Sequence, residues 1–253
     1  MKYLHFGAQC PGWRHMEAGA REAAAILGYA YESIAVDKHP ALAAAYKMYF
    51  PGLIVIDDFS IPFPGSGAQL VESFKRRGPL PGGGDFSQLP AARCDQILPL
   101  SPDNLDLLEG VCIPRHRCQG WTDKQTWLRG LDLPIYGCAG LKDGKTVAVV
   151  EVLPIELVPY PLPRRPAEDG FIACLYGRVG ESRDYRRDLL SRGVLLLAGA
   201  GYRSLSVVAG KQTPYPNGPL PLLEAVGFRS ETELGKILLR HRWDEIVFMT
   251  RRV

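Results

Sequence analysis

The chain has 253 residues, of which 46% are apolar and 23% are charged. This composition is typical of folded globular proteins and excludes a largely disordered chain. The formal net charge is only +3, which gives no support for a nucleic-acid partner. No segment approaches the ~18 consecutive apolar residues of a membrane span, and the start lacks the apolar run of a secretory signal. We therefore expect no membrane partner and a cytoplasmic location.

The six cysteines are too few for the disulfide framework of a small secreted domain, and we expect most of them to be reduced thiols. Cys112, His116 and Cys118 stand close together, and Cys94 or Cys138 could supply a fourth ligand to a metal. Their spacing matches no zinc pattern. The sequence therefore predicts no metal site.

Strands and helices are predicted to alternate over the first 77 residues. An alanine-rich segment at 16–27 has a helix-forming composition, and the apolar run at 53–56 is typical of a buried strand. The predicted elements are a strand at 2–7, a helix at 16–27, a strand at 31–36, a helix at 41–49, a strand at 53–56 and a helix at 69–76.

A stretch rich in glycine and proline at 78–84 is the best candidate for a linker, because these residues favour bends and turns. We therefore divide the chain into a first unit at 1–77, a linker at 78–93 and a second unit at 94–253. The second unit is predicted to contain strands at 95–100, 146–152, 171–176, 205–209 and 246–250, and helices at 105–109, 124–131, 184–198 and 220–226.

The first unit resembles the thioredoxin fold. Cys10 and Pro11 lie between the first strand and the first helix, and Pro51 precedes the third strand, where that fold keeps a cis-proline. A thiolate at the N-terminus of a helix has a lowered pKa, so Cys10 and Pro51 define a candidate thiol site. Trp13 stands where a second cysteine of a Cys-x-x-Cys pair would be, which excludes a dithiol within this loop. The alternative is a redox-inactive module that serves in packing or binding.

The second unit resembles the GNAT acetyltransferases. The strand at 171–176 is similar to the central strand of that family, along which acetyl-CoA lies, and the segment 222–228 ends in a similar Gly-Phe pair. Three local patterns are similar to GNAT proteins that carry a YoaP-like domain, namely those at 98–112, 124–128 and 150–156. The sequence Gln9-Cys10-Pro11 also resembles the YoaP-like domain, which in the family follows the acetyltransferase domain. The resemblance implies an α/β (α+β) protein in which a thioredoxin-like domain precedes a GNAT-like mixed-sheet domain, with the domain order exchanged.

The resemblance also implies acetyl-CoA as the cofactor and places its contacts on the central strand and on the loop and helix after it. The residues at these positions are Cys174, Leu175, Tyr176, Arg183, Tyr185, Arg186 and Arg187. A pyrophosphate group needs backbone N–H donors, and glycines let the backbone approach it, but the matching segment 181–187 contains no glycine. The arginines could replace these amides through bidentate contacts. The alternative is an exposed, charged first turn of a helix.

Candidate acids and bases are few. Glu151 lies in an apolar strand, where a charge is costly unless it is paired, and Glu156 follows it; either could accept a proton from an amine. Leu223 stands where many enzymes of the family have a tyrosine that protonates the leaving thiolate. Tyr215 is the candidate substitute, with Tyr176 and Tyr185 as alternatives that only geometry can separate.

Three functional hypotheses follow. The first is a GNAT-like N-acyltransferase that moves an acyl group from acetyl-CoA or another acyl-CoA to a small-molecule amine or a protein, while the thioredoxin-like unit recruits a protein partner. The second is a non-catalytic GNAT scaffold with a one-cysteine module that acts in binding or regulation. The third is a thiol-dependent redox protein that uses Cys10. The sequence does not indicate the oligomeric state.

Overall fold

The computed structural model describes residues 1–62, 66–82, 89–113, 120–239 and 241–253. The helices are α1 (Trp13–Leu27), α2 (Pro40–Ala45), α3 (Gly67–Arg76), α4 (Trp121–Arg129), α5 (Arg186–Gly199) and α6 (Leu220–Ala225). The strands are β1 (Lys2–His5), β2 (Glu32–Ala35), β3 (Gly52–Ile56), β4 (Phe59–Ile61), β5 (Gln96–Leu100), β6 (Gly137–Lys142), β7 (Lys145–Pro154), β8 (Asp169–Gly177), β9 (Ser204–Gly210), β10 (Arg229–Leu239) and β11 (Arg242–Arg252).

The first four strands form a sheet in the order β2-β1-β3-β4. Strand β1 runs parallel to β2 and antiparallel to β3, and β4 is antiparallel to β3. Helices α1 and α3 bury small and apolar side chains, such as Ala20 and Leu70, against Tyr3 and Ile54 of this sheet. Ser66 and Gln69 form a reciprocal capping box that starts α3, which satisfies amides that a helix start leaves without intrahelical partners.

The other seven strands form a second sheet in the order β10-β11-β9-β8-β7-β6-β5. Its neighbouring strands are antiparallel except for β8 and β9, which are parallel and pair only from Asp169 to Phe171. Beyond those positions the two strands have no paired residues. The buried carboxylate of Asp169 holds the paired end together by accepting hydrogen bonds from the Ser204 and Ser206 hydroxyls. The sheet is therefore closed at one end of β8 and β9 and open at the other.

The two sheets share one apolar core. Leu4 and Phe6 of the first unit belong to the same buried cluster as Phe171 and Phe248 of the second. The Tyr160 ring lies between two of these groups, with ring centroids 4.8 Å from Phe6 and 4.9 Å from Phe171. The turn before α1 is consequently held directly against the second sheet.

Several predicted elements differ from the observed ones. The predicted helix at 41–49 ends at Ala45, and the helix predicted at 105–109 is a 3-10 turn at 105–108. The sequence did not predict β4, β6 or β10. Strand β6 contains two glycines, and β10 is largely exposed and polar, so neither has the apolar alternation of a half-buried strand.

One expectation about Pro51 is wrong. Within the described residues the only cis peptide bond is Tyr215–Pro216, so the peptide before Pro51 is trans. No described helix is long and apolar enough to cross a membrane. The metal-ligand candidates His116 and Cys118 lie outside the described residues.

Replacing Gly120 by alanine should destabilise the contact between the two units. A Cβ atom at this position would lie 2.1 Å from the Pro11 carbonyl oxygen, a backbone atom that cannot rotate away. We expect Gly120→Ala to lower the free energy of unfolding by about 1–3 kcal/mol, as other overpacking substitutions do. Urea denaturation would measure the change.

The matched control is Gly199→Ala, at the end of α5, where a Cβ would meet no atom within 4 Å. It should leave the stability unchanged or raise it by about 0.5–1 kcal/mol. Equal losses in the two variants would contradict the proposed close contact.

Candidate active site

A cavity of about 210 Å³ lies between the two units. Its first wall is the turn before α1 together with Pro51. Its second wall is the open end of β8, and its third is the loop that follows β9. The lining residues with polar or reactive groups are Gln9, Cys10, Cys112, Lys124, Tyr160, Cys174, Tyr176, Tyr215 and Asn217. The structure thus brings together the predicted thiol-site residues Cys10 and Pro51 with Cys174, Tyr176 and Tyr215.

A β-bulge determines which side chains of β8 reach the cavity. Glu151 of β7 faces Cys174, and the next pair is Val152 with Ile172, so Ala173 is an extra residue. A bulge re-aims the side chains beside it and is common next to active sites. Ala173, Cys174 and Tyr176 consequently line the cavity. Leu175, also predicted as a cofactor contact, belongs instead to the apolar cluster that packs under α5.

The loop between β9 and α6 closes part of the opening beside β8. The buried Asn217 side chain donates a hydrogen bond of 3.2 Å to the Ile172 carbonyl, and the Tyr176 hydroxyl donates one of 3.0 Å to the Pro216 carbonyl. The buried Asp244 carboxylate accepts hydrogen bonds from the Thr213 amide and hydroxyl. These contacts hold Tyr215 and Pro216 at the cavity wall.

Lys124 and Glu151 form an ion pair beside the cavity. The Lys124 Nζ lies 2.8 Å from Glu151 Oε2, and each side chain is only 2% exposed. The same ammonium donates a hydrogen bond of 2.7 Å to the Gln9 carbonyl. Burial by itself lowers the pKa of Lys124, but the attraction and hydrogen bond of Glu151, together with the Cys174 and Cys112 thiols, outweigh this effect, so the net pKa is raised. Lys124 therefore places a fixed positive charge at the cavity wall.

The predicted base Glu151 is thus paired with Lys124, and it does not line the cavity. Glu156, the other candidate, is exposed in a short helical turn after β7 and is also absent from the lining. No described aspartate or glutamate lines the cavity. The catalytic role of the two glutamates stays a prediction, and the geometry gives neither a direct path to a ligand in this cavity.

Among the tyrosines, Tyr176 and Tyr215 line the cavity, whereas Tyr185 lies in the apolar cluster under α5. Burial raises the pKa of Tyr176 and of Tyr160, so both phenols are protonated at neutral pH. The Gln9 side chain donates a hydrogen bond of 3.1 Å to the Tyr160 hydroxyl. This contact links the turn that carries Cys10 to the second unit.

Two thiols that line the cavity, those of Cys112 and Cys174, influence each other's pKa. The Cys174 S–H donates a hydrogen bond to the Cys112 sulfur, which lowers the pKa of Cys112; burial opposes this effect and the charge of Lys124 adds to it. The same hydrogen bond, together with burial, raises the pKa of Cys174 well above its usual range. All five described cysteines are thiols rather than disulfides.

The loop from β8 to α5 uses many of its amides internally. The amides of Val179 and Asp184 donate to the Val111 and Pro90 carbonyls at 3.1 and 2.9 Å. The Arg186 amide donates to the Asp184 carboxylate at 2.9 Å, and the Arg186 guanidinium pairs with the same carboxylate. A protein carboxylate therefore occupies the anion position at the N-terminus of α5. The predicted contacts Arg183 and Arg187 are exposed on the surface.

Comparisons with solved structures give fold-level similarity at low sequence identity. Three similar structures are the ribosomal-protein-alanine N-acetyltransferase from Brucella melitensis, the putative acetyltransferase yncA from Salmonella typhimurium with its cofactor acetyl-CoA, and an N-acetyltransferase from Staphylococcus aureus Mu50. Their identities are 14%, 12% and 12%, and their TM-scores are 0.46, 0.44 and 0.46. Each alignment covers 62% of this chain, and 99%, 92% and 97% of the respective other chain.

No protein-family model and no curated protein sequence matches this chain.

Sequence reasoning missed several residues of this cavity. Lys124 was noted only within a local pattern, Cys112 only as a weak metal ligand, and Gln9 and Asn217 had no assigned role. A buried lysine is rare unless it is paired, and the apolar strand around Glu151 did indicate that this carboxylate needs a partner. The sequence contained no signal that the partner is Lys124.

Breaking the ion pair from one side should cost far more than removing both charges. Lys124→Met leaves the Glu151 carboxylate buried without its cation, and we expect it to lower the free energy of unfolding by about 3–5 kcal/mol. The double variant Lys124→Met/Glu151→Leu should recover most of that loss. Because the folded pKa of Lys124 is raised, the stabilisation is present below the ordinary lysine pKa of ~10.4 and is lost as the pH rises further.

The control is the surface pair Arg14–Asp123, in which the arginine side chain is 62% exposed. Arg14→Met should cost no more than about 1 kcal/mol. Urea denaturation of all variants would provide the comparison, and a double variant as unstable as Lys124→Met alone would refute the pairing argument.

Proposed function

We propose that the chain is a GNAT-type acyltransferase that uses the open end of β8 and β9 for its acyl donor and the cavity for a small-molecule amine. The observation that carries this proposal is the parallel pair β8–β9, which pairs only from Asp169 to Phe171 and then separates beside a bulge at Ala173. A separation within a continuous sheet gives an extended ligand access to strand backbone that a neighbouring strand would otherwise occupy.

The residues at this opening fit the pantetheine end of an acyl-CoA better than its nucleotide end. The separated strands and the apolar Leu175 side suit a slender pantetheine arm. At the nucleotide end, several amides that a pyrophosphate could use are already engaged, since those of Val179, Asp184 and Arg186 have protein acceptors. The exposed side chains of Arg183 and Arg187 add charged donors for phosphate oxygens.

When bound, an acyl thioester supplies an activated acyl group. The chain contributes charge and proton donors around it. The protonated Lys124 stabilises the negative charge that develops on the reacting acyl group in the transition state. This stabilisation is strong because the site contains little water. Tyr215 is the proposed proton donor to the leaving sulfur, because it lies at the cavity wall while Tyr185 does not. Glu151 acts as a positioning residue that keeps Lys124 charged and in place.

The acceptor is proposed to be a small amine rather than a protein side chain. The first unit covers the cavity with Gln9, Cys10 and Pro51, and the total volume is about 210 Å³, so a folded protein surface would not reach Lys124. Since no aspartate or glutamate of the described ranges lines the cavity, we expect the amine to enter as its uncharged base.

The first unit is proposed to be a thioredoxin-like domain. Its sheet order, β2-β1-β3-β4, and the position of Cys10 before α1 support this. In this arrangement the domain would close the acceptor site instead of recruiting a partner from a distance.

A second candidate function is that of a non-catalytic scaffold, which acts in binding or regulation and transfers no acyl group. It is favoured by one observation, namely that the carboxylate of Asp184 occupies the N-terminus of α5. Isothermal titration with acetyl-CoA, S-acetylpantetheine and free CoA separates the two candidates. Binding of both thioesters with subsequent transfer to an amine supports the first, and no binding of any of the three would refute it in favour of the second.

The titration also gives a prediction about the nucleotide end. Arg183→Ala/Arg187→Ala should weaken the binding of acetyl-CoA by ~10-fold or more, because it removes the charged donors available to phosphate, and it should leave S-acetylpantetheine unchanged. Arg21→Ala/Arg76→Ala removes equal charge from α1 and α3 and is the control. Equal loss for both ligands would contradict the assignment of these arginines.

Tyr215→Phe should reduce the rate of amine acylation by ~100-fold if its hydroxyl protonates the leaving sulfur, with little change in thioester binding. Tyr176→Phe is the matched comparison, because this tyrosine lines the same cavity but its hydroxyl donates to the Pro216 carbonyl. The rate would be followed by mass spectrometry of the acylated amine over a panel of small amines. A larger loss for Tyr176→Phe would assign the proton to that residue and overturn the role of Tyr215.

A further inference from the structure

The cavity contains a pair of thiols that acyl transfer does not require. Cys112 lies after the short helical turn at 105–108, and Cys174 lies on β8, yet both side chains line the same cavity of about 210 Å³ and each thiol shifts the pKa of the other. Cys10 lines the same cavity from the first unit. Neither unit alone would bring these three thiols together.

The two thiols in contact have different chemical characters. The hydrogen bond from Cys174 and the charge of Lys124 lower the pKa of Cys112, although burial opposes them. The pKa of Cys174 is raised by the same hydrogen bond and by burial. A thiolate is the nucleophile in thiol–disulfide exchange. A neighbouring thiol that is still protonated can then lose its proton and attack the mixed disulfide that the first thiol has formed. The arrangement therefore has the asymmetry of an attacking and a resolving thiol.

We propose that Cys112 and Cys174 form a redox-active dithiol site that reduces small organic disulfides admitted to the cavity, with Cys112 as the attacking thiol and Cys174 as the resolving thiol. This site goes beyond the proposed acyl transfer and does not depend on it.

The reaction balances without any further reagent. The Cys112 thiolate attacks one sulfur of the disulfide R–S–S–R, the S–S bond breaks, and one thiolate R–S⁻ leaves and takes a proton from water. Cys174 then loses its proton to water and attacks the Cys112 sulfur of the mixed disulfide, which releases the second R–S⁻. The protein dithiol is oxidised to a Cys112–Cys174 disulfide, and R–S–S–R is reduced to two thiols. An excess of R–SH drives the same steps in reverse.

The cavity wall defines the class of substrate. Ile113 and the rings of Tyr160 and Tyr176 supply apolar surface, and Lys124 supplies one positive charge. Because Lys124 is positive and none of the described acidic residues lines the cavity, a cationic disulfide would be disfavoured. A neutral or anionic disulfide of low molecular weight suits this environment best.

The test uses the full chain and bis(2-hydroxyethyl) disulfide, a small neutral probe. The reduced protein is exposed to the probe and quenched with acid, its remaining thiols are alkylated, and peptide mass spectrometry identifies the linked cysteines. We expect two thiols to become resistant to alkylation and a Cys112–Cys174 linked peptide to form. An excess of 2-mercaptoethanol should restore both thiols.

Single variants test the direction of the reaction. Cys174→Ser should accumulate a mixed disulfide between the probe and Cys112, and Cys112→Ser should slow the initial rate of oxidation by ~10-fold or more, since it removes the thiolate-prone group. Cys138→Ser is the control, because this cysteine lies in the other apolar cluster and burial raises its pKa to about 12. It should react as the unmodified protein does.

Cys10→Ser and Cys118→Ser exclude the other pairings. Both variants should still form the Cys112–Cys174 disulfide. A linkage that includes Cys10 or Cys118, equal oxidation rates for Cys112→Ser and Cys138→Ser, or no oxidation by the probe would each overturn the proposal.

Discussion

Lys124 and Glu151 form an ion pair that is almost fully buried, and this pair connects the first unit of the molecule to the second. The ammonium belongs to α4, the carboxylate to β7, and the third partner is the Gln9 carbonyl of the turn before α1. A buried charge is tolerated only when it is paired and hydrogen-bonded, so these three segments must meet for either charge to be buried. The ion pair thereby also sets the distance between the first unit and the open end of β8.

The cavity follows from that constraint and from the geometry of one strand. Without the bulge at Ala173, simple alternation along the strand would place Cys174 and Tyr176 on the face of Ile172 and away from the face of Phe171. With it, both side chains line the cavity, opposite the turn that carries Cys10. The proposed acceptor site for acyl transfer and the proposed dithiol site therefore share the same wall of the cavity. A disulfide between Cys112 and Cys174 would join β8 to the segment before α4 and narrow the space available to an amine.

Local patterns predicted most of the strands and helices, because alanine-rich helices such as α1 and apolar strands such as β7 have clear periodicity or composition. Strand β10 escaped prediction because its exposed residues have no apolar alternation, and β6 because glycine has low strand propensity. The candidate site was predictable only in part. Cys10, Pro51, Tyr176 and Tyr215 were named from their place in the chain, and they do line one cavity. The contacts of Lys124 with Glu151 and of Cys112 with Cys174 join segments that are distant in sequence, and no local pattern encodes such pairs.

The loop before α5 shows how a departure from a sequence pattern can be interpreted physically. A glycine-poor loop does not by itself exclude a phosphate ligand, since every residue of the segment 181–187 has a backbone N–H donor. What matters is where those amides point, and here Val179 and Asp184 donate to carbonyls of other segments while Arg186 donates to a carboxylate. An anion at this position would have to displace a protein acceptor that already satisfies the donor, and it would gain only the difference between the two interactions. Arg183 and Arg187 present exposed guanidinium groups near this position, so side-chain charge would add to the affinity of the loop for the nucleotide end of an acyl donor.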